Sequence, residues 1–271
     1  MVITFLSDYG LQDDFVGTCH GVMKRIAPNV EIIDITHGIP PQAVMQGALV
    51  LRNTVPYMPH AVHLAVVDPG VGGPRRPLVL RDPDGRFYVG PDNGLLLPAV
   101  EGNGGIAAAY ELANPRYALE PVSRTFHGRD LFAPAAAHLA LGLDPAELGP
   151  PVAADALVPL DMPQPKLGRD RIEAVVLYID RFGNIQLNLT RSELHRTGIE
   201  PGTRVELEHQ GERYYAVAAR TYADARPGDI ILYEDSYGNV AVAINRGDAA
   251  QMFAARPGHA VTIDARLASV W

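Results

Sequence analysis

The first half of the chain alternates short runs of apolar, β-favouring residues with stretches whose apolar positions recur at helical spacing. VITFL, EIIDI and VHLAVV are the runs, and residues 13–26 and 42–55 lie between them. The runs are apolar throughout instead of alternating, the pattern of strands covered by helices on both faces of a mostly parallel sheet. The order strand, helix, strand predicts βαβ units. In such sheets ligands bind beyond the carboxyl ends of the strands. Asp8 follows VITFL and Asp68 follows VHLAVV, so both carboxylates stand where this architecture places reactive groups.

The rhythm breaks at residues 144–165, DPAELGPPVAADALVPLDMPQP, whose six prolines rule out a continuous helix or a central strand. Beyond it come VVLYID, IQLNL, RVELEH, RYYAVAA, DIILYED, VAVAIN and AVTIDA, separated by turn signals such as RFGN, QGE and SYGN. Hairpins of this kind predict a small antiparallel barrel or sandwich. The expected fold is therefore α/β: an N-terminal α/β domain over residues 1–160 with a mostly parallel sheet, then a smaller C-terminal antiparallel β-barrel-like domain over residues 170–271.

Composition narrows the function classes. A hydrophobic content of 47% with 20% charged residues suits a packed globular chain and excludes wholesale disorder. The net charge of −8 argues against nucleic-acid or anionic-membrane partners, which need clustered positive charge. The N-terminus lacks the pattern of a signal peptide, and no apolar stretch approaches the ~18 residues of a membrane span. A soluble, cytoplasmic protein is expected. The single cysteine, Cys19, falls on a helical stripe with Phe15, Val22 and Ile26 and reads as a small buried apolar residue.

Three segments can carry chemistry. VVDPGVGGPRR, residues 66–76, follows a buried strand with a glycine-rich loop, glycine allowing close backbone approach and proline stiffening the turn. It matches neither the P-loop nor the dinucleotide fingerprint. TFHGRD, residues 125–130, sets His127 just before a helical run, where the helix dipole disfavours the imidazolium. SDYGLQDD, residues 7–14, sets Asp8 at a strand end and Asp13 or Asp14 at a helix start, where a carboxylate also serves as a cap. Asp8 could accept two hydrogen bonds from a ribose diol. The nine histidines show no helical metal pair, and HExxH, cysteine pairs and EF-hand loops are absent, so metal-free chemistry is expected. No GxSxG elbow supports covalent serine catalysis.

Taken together, SDYGLQDDFVG, DITHGIP, VVDPGVGGPRRP, VGPDNGLL, TFHGRDLFAPAAAHLA, IDRFGNIQLN and EDSYGNVAVAIN resemble the S-adenosylmethionine hydroxide adenosyltransferases, relatives of the bacterial fluorinase and chlorinase. The likeness runs in one order from residue 2 to about 265. It implies water-dependent cleavage of S-adenosylmethionine to adenosine and methionine, with S-adenosylmethionine as substrate and no cofactor. It also implies a homotrimer whose sites lie at subunit interfaces. By the same resemblance Asp68, Arg75 and His127 form the catalytic triad, and spacing selects Arg75 over its neighbour Arg76. Asp8 would hold the ribose, Asp13 would assist at the amino-acid end and Asp180 would take the methionine ammonium. Asn184 and the Arg246 region would hold the adenine, Phe182 would stack, and Ser236 would contact the methionine carboxylate. Which group takes the water proton stays open. Where the fluorinase carries a tyrosine and a serine, this chain has Asp68 and Gly128. A carboxylate repels halide, which disfavours the halogenase reading. Tyr237 falls where the fluorinase has arginine. The remaining alternative is a binder of adenosyl compounds that lacks turnover.

Overall fold

In the N-terminal half the apolar runs become strands β1 (Val2–Ser7), β2 (Ile32–Thr36) and β3 (Ala61–Val66), separated by helices α1 (Phe15–Ile26) and α2 (Val44–Thr54). The chain continues through β4 (Pro77–Arg81), β5 (Phe87–Pro91), α3 (Leu97–Glu101), β6 (Ala108–Glu111) and α4 (Ala133–Ala140). The computed structural model describes residues 1–265 and divides into two units, Met1–Asp161 and Met162–Trp271.

Six strands of the first unit form one sheet in the order β2-β1-β3-β5-β4-β6. The pairs β1–β2, β1–β3 and β3–β5 are parallel, and β4–β5 and β4–β6 are antiparallel. Successive residues of β3 point to opposite layers. Val62, Leu64 and Val66 pack with Cys19 and Met23 of α1 and with Ala135, Ala136 and Leu139 of α4. Ala65 packs with Ala48 and Leu51 of α2 and with Ala99 and Val100 of α3. Two buried faces explain why these runs show no polar alternation. Each fully buried Leu or Val is worth about 1.5–3 kcal/mol of transfer free energy, so truncating Leu64 at the centre of the sheet should cost about 2–5 kcal/mol.

The buried seam of α1 is Val16, Cys19, Val22 and Met23, displaced from the expected Phe15–Cys19–Val22–Ile26 stripe. Phe15 turns outward instead, its ring 5.7 Å from Tyr9 and 5.1 Å from Phe126. Cys19 is fully buried, and burial pushes its thiol up to about 12, which makes it an inert packing residue.

The sheet order reverses direction between β1 and β3: the chain leaves β1 toward one edge for β2 and returns to the other side for β3. A crevice opens at such a switch point beyond the carboxyl ends of the two strands. Ser7 pairs with Val66 in the β1–β3 register, so Asp8 and Asp68 emerge side by side at its rim.

The second unit consists of β7 (Lys166–Leu167), β8 (Arg171–Ile179), β9 (Ile185–Thr190), α5 (Arg191–His195), β10 (Arg204–His209), β11 (Glu212–Ala219), β12 (Ile230–Glu234), β13 (Asn239–Ile244), α6 (Ala249–Phe253) and β14 (Ala260–Asp264). The order β14-β10-β11-β12-β13-β9-β8 closes through β14–β8 into a seven-stranded barrel, with β7 added on β8. Six of its pairings follow the antiparallel expectation. The seventh, β11–β12, is parallel. The intervening segment is no tight hairpin: with its turn at Tyr222–Asp224 it carries the chain back to the starting end before β12 begins. Among the described residues no helix is long and apolar enough to cross a membrane.

Candidate active site

Asp68, Arg75 and His127, far apart in the chain, meet at the crevice. Arg75 Nε donates to both carboxylate oxygens of Asp68 at 3.0 Å, and its Nη2 makes a further short contact with Oδ2. The same Nη2 lies 2.7 Å from Nδ1 of His127. The side chains of Asp68 and Arg75 are only 6% and 9% exposed, and the guanidinium lies 5.2 Å from the Phe132 ring centroid. A charge pair this enclosed is held by its geometry, and removing one partner would strand the other. Arg76 goes elsewhere, to Asp92 and the carbonyl of Ala156. Arg75, and not Arg76, is thus the arginine paired with Asp68.

Guanidinium nitrogens only donate, so Nδ1 of His127 must present its lone pair and the ring proton must sit on Nε2. Burial, and next the charge of Arg75, hold His127 below its ordinary value. Both effects favour the neutral ring. The residues after it, Gly128–Phe132, form a π turn leading into α4, an irregularity frequent at functional sites. Asp130 anchors this turn: it accepts from Arg129 Nε at 2.6 Å and from Ser123 N at 2.8 Å. Burial works to raise Asp130, but these hydrogen bonds outweigh it and hold the carboxyl below its usual range.

On the opposite rim, Asp8 Oδ2 accepts from the backbone N of Gln42 at 2.8 Å. Gln42 adopts φ 66°, a left-handed conformation that costs a non-glycine residue some strain and aims its N–H at the carboxylate. Burial raises Asp8 above the usual carboxylate range. Asp8, Gln42, Asp68, Val71, Thr125 and His127 line a cleft of ≈ 350 Å³, within the range of small-molecule sites. Tyr9 closes one side, and Gly128 has no side chain because a Cβ there would collide with the Tyr9 hydroxyl. Asp13 is exposed and precedes α1, which starts at Phe15. Tyr9, Gln42 and Asp130 escaped sequence reasoning, since nothing local in a lone tyrosine, glutamine or aspartate marks its long-range partner.

In the barrel unit, the turn between β8 and β9 is organised by Asp180. Its Oδ1 accepts from the backbone N of Phe182 and of Asn184, and its Oδ2 from Asn184 Nδ2 at 2.7 Å. Asn184 is buried, whereas the Phe182 ring is 77% exposed. Gly183, at φ 78°, packs against Asp248, and its carbonyl accepts from Ala250 N, so this turn adjoins the segment that carries Arg246, itself at φ 60°. Ser236 is exposed in the β12–β13 turn, whose Gly238 carbonyl accepts from Arg191 N. The structure thus groups Asp180, Phe182, Asn184 and the Arg246 segment at one end of β13, and sets Ser236 at the other.

The family models of the SAM hydroxide adenosyltransferase N-terminal and C-terminal domains match residues 3–149 and 174–262. The chain belongs to the SAM hydroxide adenosyltransferase family. Within that family it is similar to an (R)-S-adenosyl-L-methionine hydrolase of Salinispora arenicola, 49% identical over 263 residues that cover 97% of each chain. It is also similar to a fluorinase of Actinoplanes, 30% identical with 97% of each chain covered. A crystal structure of an uncharacterized conserved protein from Thermotoga maritima shares the family fold with a TM-score of 0.89 and 34% identity, covering 97% of this chain and all of that one. SAM hydroxide adenosyltransferase chains thus resemble this one along both units and not only through the cleft.

Proposed function

We propose that this protein hydrolyses S-adenosyl-L-methionine to adenosine and L-methionine, and that it accepts the (R) sulfonium epimer specified in the names of its relatives. The observation that carries the reading is the enclosed Asp68–Arg75–His127 group facing a ligand-sized cleft. In the reaction, a water oxygen attacks ribose C5′ as the C5′–S bond breaks, and the bonding pair leaves with sulfur. Methionine departs as a neutral thioether, so no acid is required. The demand falls on the nucleophile.

Because Arg75 commits Nδ1 of His127 as an acceptor, Asp68 is the proton acceptor of the three near neutral pH. It accepts from the water while the Nε2–H of His127 donates to the water oxygen and keeps a lone pair aimed at carbon. The Arg75 charge and the substrate sulfonium stabilise the developing hydroxide. In this division of labour Asp68 takes the proton and His127 orients the water.

Asp8 then holds the ribose diol, and Asp13 assists at the amino-acid end. Asp180 retains about one acceptor site beyond its three turn-forming bonds, enough for one ammonium contact. Asn184 presents its Oδ1 to adenine beside the Arg246 segment, Phe182 stacks and Ser236 contacts the carboxylate. A homotrimer with sites shared between subunits extends the reading, supported by the exposed Phe182 ring and measurable by light scattering. No metal or cofactor is required by this scheme.

Incubating purified protein with either sulfonium epimer and following products by chromatography tests the function. Adenosine release supports it. Retention of the compound without adenosine would make the chain a binder, and 5′-halo-adenosine on supplying chloride or fluoride would make it a halogenase.

A further inference from the structure

A second cluster of ligating side chains lies outside the cleft. His20 comes from α1, Asp34 from β2 and His37 from the turn just after β2. Nε2 of His20 is 2.9 Å from Asp34 Oδ1, and Nε2 of His37 is 3.1 Å from the same oxygen. The three ligand atoms lie within 4.8 Å of one another.

His37 Nε2 approaches the Asp34 carboxylate closely but without the alignment of a good hydrogen bond. Its Nε2 is buried and has no hydrogen-bond partner among the described residues, although the oxygen is close. Leaving such a buried nitrogen poorly paired is unfavourable. The ring cannot turn to mend this: its side chain is 3% exposed, Phe5 meets it edge-on at 4.7 Å, and Nδ1 is fixed at 2.7 Å from Ser7 Oγ. When Nδ1–H donates to Ser7, the lone pair of Nε2 faces the Asp34 carboxylate, an arrangement that calls for a cation between them.

Each feature is that of a metal site. A ligating histidine is typically oriented through its other ring nitrogen, as Ser7 orients His37. Two imidazoles and a carboxylate suit borderline first-row ions rather than magnesium or calcium. Zinc bonds of about 2.0–2.2 Å set tetrahedral ligand atoms roughly 3.3 Å apart, so the present spacings need only a slight outward movement. His20 and Asp34 are partly exposed, at 31% and 41%, which leaves an entry path and room for water ligands.

We propose that His20, Asp34 and His37 bind one divalent first-row transition-metal ion, with zinc as the representative. The ion would clamp α1 to β2 behind the loop that carries Asp8. Ser7 links the two, since its Oγ also accepts from Tyr9 N at 3.3 Å, while the carbonyl of His37 accepts from Gly10 N at 2.8 Å.

The test uses the full chain, freed of metal by dialysis against a chelator and titrated with zinc by calorimetry and with cobalt(II) by visible absorption. The expected result is one ion per chain, a rise in Tm on binding, and affinity at least tenfold weaker in both His20→Ala and Asp34→Asn, with His60→Ala unchanged. Both ligand variants alter partly exposed side chains, and circular dichroism would verify their fold. Absence of stoichiometric binding to the wild type, or undiminished affinity in His20→Ala, would overturn the proposal and leave the trio a hydrogen-bonded cluster.

Discussion

Arg75 Nη2 donates to Nδ1 of His127 at 2.7 Å while the same guanidinium grips both oxygens of Asp68. One arginine thereby fixes the tautomer of the histidine and the orientation of the carboxylate. The arrangement works only while His127 is neutral. A proton on Nδ1 would remove the acceptor and set two positive groups against each other.

Turnover should therefore fall on the acid side. The folded protein holds His127 below 6.5, through burial first and the Arg75 charge second. As pH drops through that depressed value the ring protonates and kcat declines; above it kcat is flat with respect to this group. Arg75→Gln removes the second cause and should shift the acid limb upward while lowering the plateau. A wild-type limb at or above the ordinary histidine value, or one that Arg75→Gln leaves in place, would contradict this coupling.

Asp68→Asn keeps the shape of the side chain but removes the proposed proton acceptor. A kcat loss of about 10²–10⁴-fold is expected, with the dissociation constant of substrate changed far less. Single-turnover kinetics beside equilibrium binding separates the two. A variant that turns over at near wild-type rate would remove Asp68 from the chemistry.

Asp8→Asn should show the opposite split. Hydrogen bonds to a charged group are worth about 1.5–3 kcal/mol, so binding should weaken by roughly 10–100-fold with a smaller effect on the chemical step. Burial raises the Asp8 carboxyl. Wild-type affinity should accordingly begin to fall, as pH is lowered, sooner than an ordinary aspartate would dictate. Calorimetric titrations across acid pH in wild type and variant would show whether this dependence belongs to Asp8.

Gly128→Ala sets a methyl group against the Tyr9 hydroxyl. Activity should drop because Tyr9 and the His127 turn must separate. Tyr9→Phe removes the clashing oxygen, so the double variant should recover part of the loss; steady-state rates of the two single variants and the double variant measure that coupling. Equal losses in Gly128→Ala with and without Tyr9→Phe would show that the contact does not matter.

Much of this arrangement was legible in the sequence because it depends on local signals. Apolar runs without alternation announced a covered parallel sheet, and Asp8 and Asp68 follow directly from where those runs end. The seven barrel strands were separable by their turn residues. What escaped reading depends on partners distant in the chain. Strands β4 to β6 were not distinguished, the parallel β11–β12 pairing is set by how a loop crosses the barrel, and α1 turned its seam because Phe15 found aromatic partners at the cleft. His20 and His37 share no helix, so helical spacing could not pair them across α1 and β2. Arg75 and Arg76 are adjacent and chemically identical; only the fold sends one to Asp68 and the other to Asp92.

In the proposed hydrolysis the oxygen of water forms the new bond to C5′ of the adenosyl group. The most direct measurement is turnover of S-adenosylmethionine in ¹⁸O-labelled water, followed by mass spectrometry of both products. Labelled adenosine, with the heavy oxygen in its 5′-hydroxyl, and unlabelled methionine are expected. Adenosine that carries no label, or no adenosine at all, would contradict the proposed hydrolysis.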